Sequence, residues 1–168
     1  MYKFLRLGQA GYRSKVALQM STAEFIRSSL LGMTLKGEKR FVLLDGSAAG
    51  PALPVVAMRL NPKLNLAYDS IDLQHIISER NWFVSAYKMK FSDPLEEGTE
   101  LPLFEDASSE DTMFRVVVKA TLTLPNARDL VDAFRKALEF LDMASNGYLD
   151  VHNMRLKKGE QHHDGHVC

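Results

Sequence analysis

Apolar residues recur at three- and four-residue spacing from the first residues to about residue 31: Phe4, Leu5, Tyr12, Val16, Met20, Ala23, Ile26 and Leu30. This period predicts one or two helices. Gly8 and Gly11 weaken the first turns, because glycine inside a helix costs about 1 kcal/mol against alanine. Gly32 and a polar turn over 36–40 end the helical stretch, and the apolar run 41–44 before Asp45 and Gly46 predicts a short strand. A second strand is predicted over 54–60, stopped by Asn61 and Pro62. A helix follows, with Asp69 or Ser70 as its N-cap and Ile71, Leu73, His75, Ile76 and Ile77 in its body. Residues 82–91 alternate bulky apolar with small or polar residues at period two, and 113–120 carry Val116, Val117 and Val118, so both stretches predict strands. The last helix starts at Pro125 and Asn126, carries Leu130, Phe134, Leu138 and Leu141 on one stripe, and is expected to close at Asn146 and Gly147. The order helix, strand, strand, helix, strand, strand, helix predicts an α+β fold: a small, largely antiparallel sheet covered by helices on one face.

Two segments fall outside this frame. Residues 92–112 contain eight acidic residues and no Lys or Arg, together with Pro94, Gly98 and Pro102, and are expected to form a long solvated acidic loop. Residues 148–168, which after Met154 carry few apolar side chains but three histidines, are expected to form a disordered tail.

Composition narrows the function classes. The 21 basic and 21 acidic residues cancel, so there is no basic footprint of the kind that points to nucleic acid. No run reaches the roughly 18 apolar residues a membrane span needs. One cysteine in 168 residues makes no internal disulfide, and the N-terminus has no signal-peptide h-region, which together set the expectation of a cytoplasmic protein. The first helix opens at the first residues without a capping side chain before it, so the natural helix is expected to begin upstream of Met1.

Chemistry-bearing residues are sparse. A nucleophilic site needs a Ser or Cys with a His and an orienting carboxylate, yet the only histidine within a predicted element is His75, read as a partly buried structural residue, and Cys168 is terminal. Gly46 to Gly50 and Gly8 to Gly11 lack the strand-to-helix setting of a phosphate-binding loop. His162, His163, Asp164, His166 and Cys168 are of metal-ligand type, but a flexible tail without supporting contacts points to adventitious affinity, and no metal site is assigned. Arg115 begins an apolar strand, where a guanidinium can fork onto a carboxylate through two parallel hydrogen bonds or simply face water.

The residues Tyr2, Phe4, Leu5, Arg6, Leu7, Gly8, Gly11 and Tyr12, followed by Lys15 and Val16, closely resemble the Y-x-F-L-R-L-G-x-x-G-Y segment of pyridoxal-phosphate-dependent glutamate decarboxylases of the bacterial, plant and fungal type. Trp82, Val84, Ala86 and Tyr87 resemble that family's W-x-V-P-A-Y strand, with Ser85 in place of the proline. Arg115, Val116 and Val117 resemble its R-V-V strand, and the helix through Phe140 and Leu141 falls where its last large helix does. The resemblance covers roughly residues 2–145. It implies the C-terminal small domain of a fold-type I pyridoxal-phosphate enzyme: residues 1–34 linking from a large cofactor domain, residues 35–147 forming the small domain, and 148–168 the tail.

The same resemblance implies that Arg115 binds a carboxylate of the substrate, glutamate. The family's cofactor lysine follows a histidine, and none of the eleven lysines here does. No catalytic or cofactor-binding residue is therefore expected in this chain; pyridoxal phosphate belongs to the complete enzyme. The chain alone is expected to be inactive. A homo-oligomer, or docking on full-length subunits or another partner through the face of Phe4, Leu5, Tyr12 and Val16, is the implied association. The tail lacks the tryptophan and lysine-rich pattern of the plant extension, so calmodulin is not implied.

Overall fold

The structure, a computed structural model, describes the backbone of residues 2–44, 53–92, 100–102 and 111–160, and the side chains of 7–44, 53–90 and 111–144. The first helical stretch, α1 (Tyr2–Leu31), is two helices joined at Gly8, whose φ of 58° and ψ of −176° are essentially closed to residues with a Cβ. Ala23, Ile26 and Leu30 of α1 are fully buried, whereas the turns that precede them stand clear of the core. The polar turn read over 36–40 is part of a hairpin instead, formed by β1 (Thr34–Leu35) and β2 (Glu38–Lys39). Lys36 and Gly37 both have positive φ, the conformation that matches a two-residue turn to the twist of its strands.

The main sheet contains β3 (Phe41–Leu43), β4 (Val55–Leu60), β5 (Ser85–Lys88) and β8 (Thr112–Val117), in the spatial order β3-β4-β8-β5, and every neighbouring pair is antiparallel. Helix α2 (Ser70–Ser78) is closed at its start by a capping box: the Asp69 carboxylate accepts from the N–H groups of Ile71 and Asp72, and the Asp72 carboxylate accepts from the Asp69 N–H. Helix α3 (Leu124–Glu160) starts one turn after Lys119, with Pro125 in the first turn where no N–H is needed. The expected sheet of strands covered by helices is present, and its class is α+β.

Register explains which face the helices cover. Val56 lies opposite Val116, and Met58 opposite Phe114, while Phe41 lies opposite Leu60. These residues share one face and pack with α1, α2 and α3. Phe114 is at the centre, 5.4 Å from the Phe41 ring and 5.3 Å from the Phe134 ring; Phe41 meets Phe114 and Phe134 edge-on, the arrangement that ring quadrupoles favour. Leu130, Phe134, Leu138 and Leu141 form the buried stripe of α3 as its period predicts. Gln74 of α2 accepts a hydrogen bond from the Ala86 N–H at 2.6 Å, which occupies a backbone donor of the edge strand β5.

Several boundaries differ from the sequence reading. The strand expected over 82–91 is divided: β5 ends at Lys88, Met89 turns inward, and β6 (Lys90–Ser92) pairs with β7 (Glu100–Pro102). The acidic segment 92–112 is therefore not wholly loop, because cross-strand pairing supplies what local charge repulsion opposes. The strand expected over 113–120 stops at Val117. Helix α3 does not stop at Asn146 and Gly147 but continues through 148–160, part of the expected tail, since one glycine's penalty of about 1 kcal/mol is too small to end a helix by itself. Residues 161–168, with the histidine and cysteine cluster, and the glycines 46 and 50 lie outside the described residues.

A polar cluster fastens α3 to the opposite end of the sheet. Arg40 donates to Asp142 through both terminal nitrogens, at 3.1 Å from Nη1 to Oδ1 and through a shorter contact from Nη2 to Oδ2, and Nη1 also reaches the Tyr68 hydroxyl at 3.0 Å. The Tyr68 hydroxyl donates to Asp142 at 2.8 Å, and Arg40 Nε donates to the Thr34 carbonyl at 3.3 Å. Burial pushes the Tyr68 phenol well above its ordinary range, and its bond to Asp142 adds to the shift. Burial also pushes the Asp142 carboxyl up, but the bonds from Arg40 and Tyr68 outweigh it and hold Asp142 below the ordinary range. Arg40 is raised by its bond to Asp142.

Removing the carboxylate leaves the buried Arg40 charge with a neutral partner, so Asp142→Asn is expected to lower the unfolding free energy by about 2 kcal/mol at pH 7 in urea titrations. Because the folded Asp142 is the stronger acid, its contribution is complete above the unfolded carboxylate range near pH 4 and is lost as pH falls through the lower folded value. The gap between wild type and Asp142→Asn should therefore close on acidification. Tyr68 acts at the other end: its raised phenol keeps its contribution below about pH 10 and loses it as pH rises beyond.

Candidate functional site

The sheet face turned away from the helices carries the candidate site. Alternation along β8 sends Phe114 and Val116 into the core and leaves Met113, Arg115 and Val117 on the other face. Arg115 is exposed there although β8 is an interior strand with β4 on one side and β5 on the other. Its cross-strand neighbours are small: Ala57 on β4 and Ser85 on β5. The guanidinium carbon of Arg115 lies 5.6 Å from the ring centroid of Tyr87, which is one register step along β5, opposite Met113.

The rest of this face is closed. Met89 and Met113 are buried together, with Leu44 and Ala57 packed against them. The Met89 N–H donates to the Asp111 carbonyl at 2.6 Å, which seats the methionine at the end of β5. Arg59, two residues from Ala57 on β4 and so on the same face as Arg115, is only 6% exposed and stands 3.7 Å from Asp111. It lines a cavity of about 230 Å³ with Asn61, Asp69, Asp111 and Thr112. Those polar neighbours are engaged within the fold: Asp69 caps α2, Asn61 donates to the Lys39 carbonyl and accepts from the Lys63 N–H, and Thr112 accepts from the Ser70 N–H. Arg59 is thus an internal ion-pair residue, and Arg115 is the guanidinium this face presents to solvent.

Of the residues singled out in the sequence, Arg115 stands on an open face with both flanks narrow, a setting in which its fork can reach a carboxylate. His75 is half-buried in the body of α2. Among the described residues, no group of three or more His, Cys, Asp or Glu side chains is arranged to hold a metal ion, and no helix is long and apolar enough to cross a membrane. The Tyr87 contact was missed in the sequence. Period two places Ser85 and Tyr87 on one face of their strand, but which residue of β8 they meet depends on a register set across the segment between them.

Arg115 is exposed and makes one ring contact, so Arg115→Ala is expected to change the unfolding free energy by no more than about 1 kcal/mol. Arg59→Ala, which empties a buried position and leaves Asp111 facing it, should lose at least about 2 kcal/mol by the same urea titration. The opposite ranking would make Arg115 a structural residue.

No family model and no curated protein matches the chain. Solved structures do. A glutamate decarboxylase from Lactobacillus brevis superposes with a TM-score of 0.65 at 23% identity, over 85% of this chain and 27% of the other. Tryptophan decarboxylase of Catharanthus roseus, in complex with L-tryptophan, gives 0.51 at 15% identity over 79% of this chain and 24% of that one. Oryza sativa TDC with PLP gives 0.54 at 11% identity, over 82% and 26%. The chain spans about a quarter of the length of the structures it resembles, and its α+β fold is the fold of that part of a pyridoxal-phosphate-dependent decarboxylase chain.

Proposed function

We propose that this polypeptide is the C-terminal small domain of a glutamate-decarboxylase-like enzyme, in which Arg115 holds a carboxylate of the substrate. The observation that carries the reading is the exposure of Arg115 on an interior strand, on the sheet face opposite the one that packs against the described helices. A guanidinium on a rigid strand offers two parallel donors in fixed geometry, which suits carboxylate binding and resists the bending that a loop allows. The complete enzyme would convert L-glutamate to 4-aminobutanoate and carbon dioxide in the cytoplasm, as a homo-oligomer.

The donor set of this chain does not fit the cofactor. A lysine that forms a Schiff base is activated by losing its proton near neutral pH, for which a desolvated pocket or a neighbouring cation is needed. Among the residues whose side chains are described, every lysine is exposed except the half-buried Lys90. Pyridoxal phosphate, and the chemistry it supplies, would therefore be held by the remainder of the enzyme, while this chain orients a substrate carboxylate. Purified alone, the chain is expected to release no carbon dioxide from glutamate with added pyridoxal phosphate. In the complete polypeptide, Arg115→Ala should lower kcat/KM for glutamate by about 100-fold, the equivalent of about 3 kcal/mol for two charge-assisted hydrogen bonds, with Arg115→Lys recovering part of it. A decarboxylase unaffected by Arg115→Ala would remove the assignment.

A second reading, a non-catalytic module that docks on full-length subunits or another partner through its first helix, is favoured by Val16 and Leu18 of α1, which are 49% and 58% exposed. Exposed apolar side chains on one helix support association. Sedimentation should then show a concentration-dependent mass that falls to the monomer in a Val16→Glu, Leu18→Glu variant; a wild-type monomer at all concentrations would dismiss this reading.

A further inference from the structure

We propose that Tyr87 is a positioning residue for Arg115: its ring face holds the guanidinium so that the fork is presented to a carboxylate in one orientation. The inference rests on Arg115 being the carboxylate-binding residue, and it adds the group that orders it. Arg115 has no wall of its own. Its direct cross-strand neighbours, Ala57 and Ser85, are too short to restrain four side-chain torsions, and an arginine on an open surface carries about 2 kcal/mol of rotamer entropy that binding must otherwise remove.

Tyr87 is the side chain that meets it. The register pairs Tyr87 with Met113 and Ser85 with Arg115, so the ring and the guanidinium are diagonal neighbours on one face, a spacing within reach of an aromatic and a long side chain. The 5.6 Å separation from guanidinium carbon to ring centroid is within the range of a cation–π contact. The cross-strand partner of Tyr87, Met113, is buried with Met89, which anchors the strand pair at that register. The strand supports it through the Gln74 bond to the Ala86 N–H. A guanidinium held over a ring face still has N–H groups to offer a carboxylate. Tyr87 is 37% exposed, so the rack is open to a ligand approaching from solvent.

The ring face rather than the hydroxyl is the active part, and this separates positioning from packing. In the 168-residue chain labelled with ¹⁵N, the Arg115 Nε–H signal should show an ordered side chain in wild type and in Tyr87→Phe, which keeps the ring. It should show a mobile one in Tyr87→Leu, which keeps apolar bulk without a π face. Thermal unfolding of all three should agree within a few degrees. Titrated with glutarate as a dicarboxylate probe, wild type and Tyr87→Phe should shift the Arg115 signal with equal affinity, and Tyr87→Leu should bind about two- to fivefold more weakly. Equal mobility of Arg115 in wild type and Tyr87→Leu would overturn the proposal, as would a Tyr87→Phe chain that behaves like Tyr87→Leu. Either result leaves the role of Arg115 to be decided separately by the Arg115→Ala measurement on carbon dioxide release.

Discussion

The alternation of β8 is the constraint on which the rest of this fold depends. The strand lies between β4 and β5 and is hydrogen-bonded on both sides, so its residues cannot slip by one position without turning Phe114 and Val116 out of the core. Phe114 is held by the rings of Phe41 and Phe134, one from the sheet and one from α3. Burying those rings on one face fixes Arg115 on the other. A core requirement thereby decides where a polar group stands, and the strand's rigidity is passed on to the guanidinium.

The second requirement is closure of the layer. Helix α3 packs its apolar stripe on the sheet, yet a stripe alone permits sliding along the helix axis. The Arg40, Tyr68 and Asp142 cluster resists this, because its three side chains come from the residue before β3, the loop before α2 and the middle of α3. A bidentate guanidinium–carboxylate contact with a shared hydroxyl is satisfied in one relative position of these elements. Gln19 adds a tie from α1, donating to the Val118 carbonyl at 2.8 Å just beyond β8. Among the described residues, the face opposite the helices carries the small Met89 and Met113 apolar cluster, and it is there that Arg115 and Tyr87 stand exposed.

The similarity to solved decarboxylases bears on this asymmetry. Those chains are about four times longer than the part superposed, and TM-scores of 0.51–0.65 at identities of 11–23% show a shared fold. The same architecture occurs in a glutamate decarboxylase and in a tryptophan decarboxylase.

By itself the sequence determined the α+β class, the apolar stripe of α3, the start of α2 at Asp69 or Ser70 and the parity that puts Ser85 with Tyr87 and Arg115 with Met113, because each follows from a local period of 3.6 or 2 or from a capping side chain. Local signals also misplaced what long-range contacts control: the hairpin at 34–39, the break at Met89, the pairing of β6 with β7 inside the acidic segment, and the continuation of α3 past Gly147. Tertiary structure alone decided the strand order β3-β4-β8-β5 and its register. From these follow the burial of Arg59 beside Asp111, the exposure of Arg115 two positions along the same face, and the Tyr87 ring against its guanidinium. Two arginines of like sequence character on neighbouring strands thus acquired opposite surroundings, since burial is set by what packs over a position and not by the residues adjacent to it in the chain.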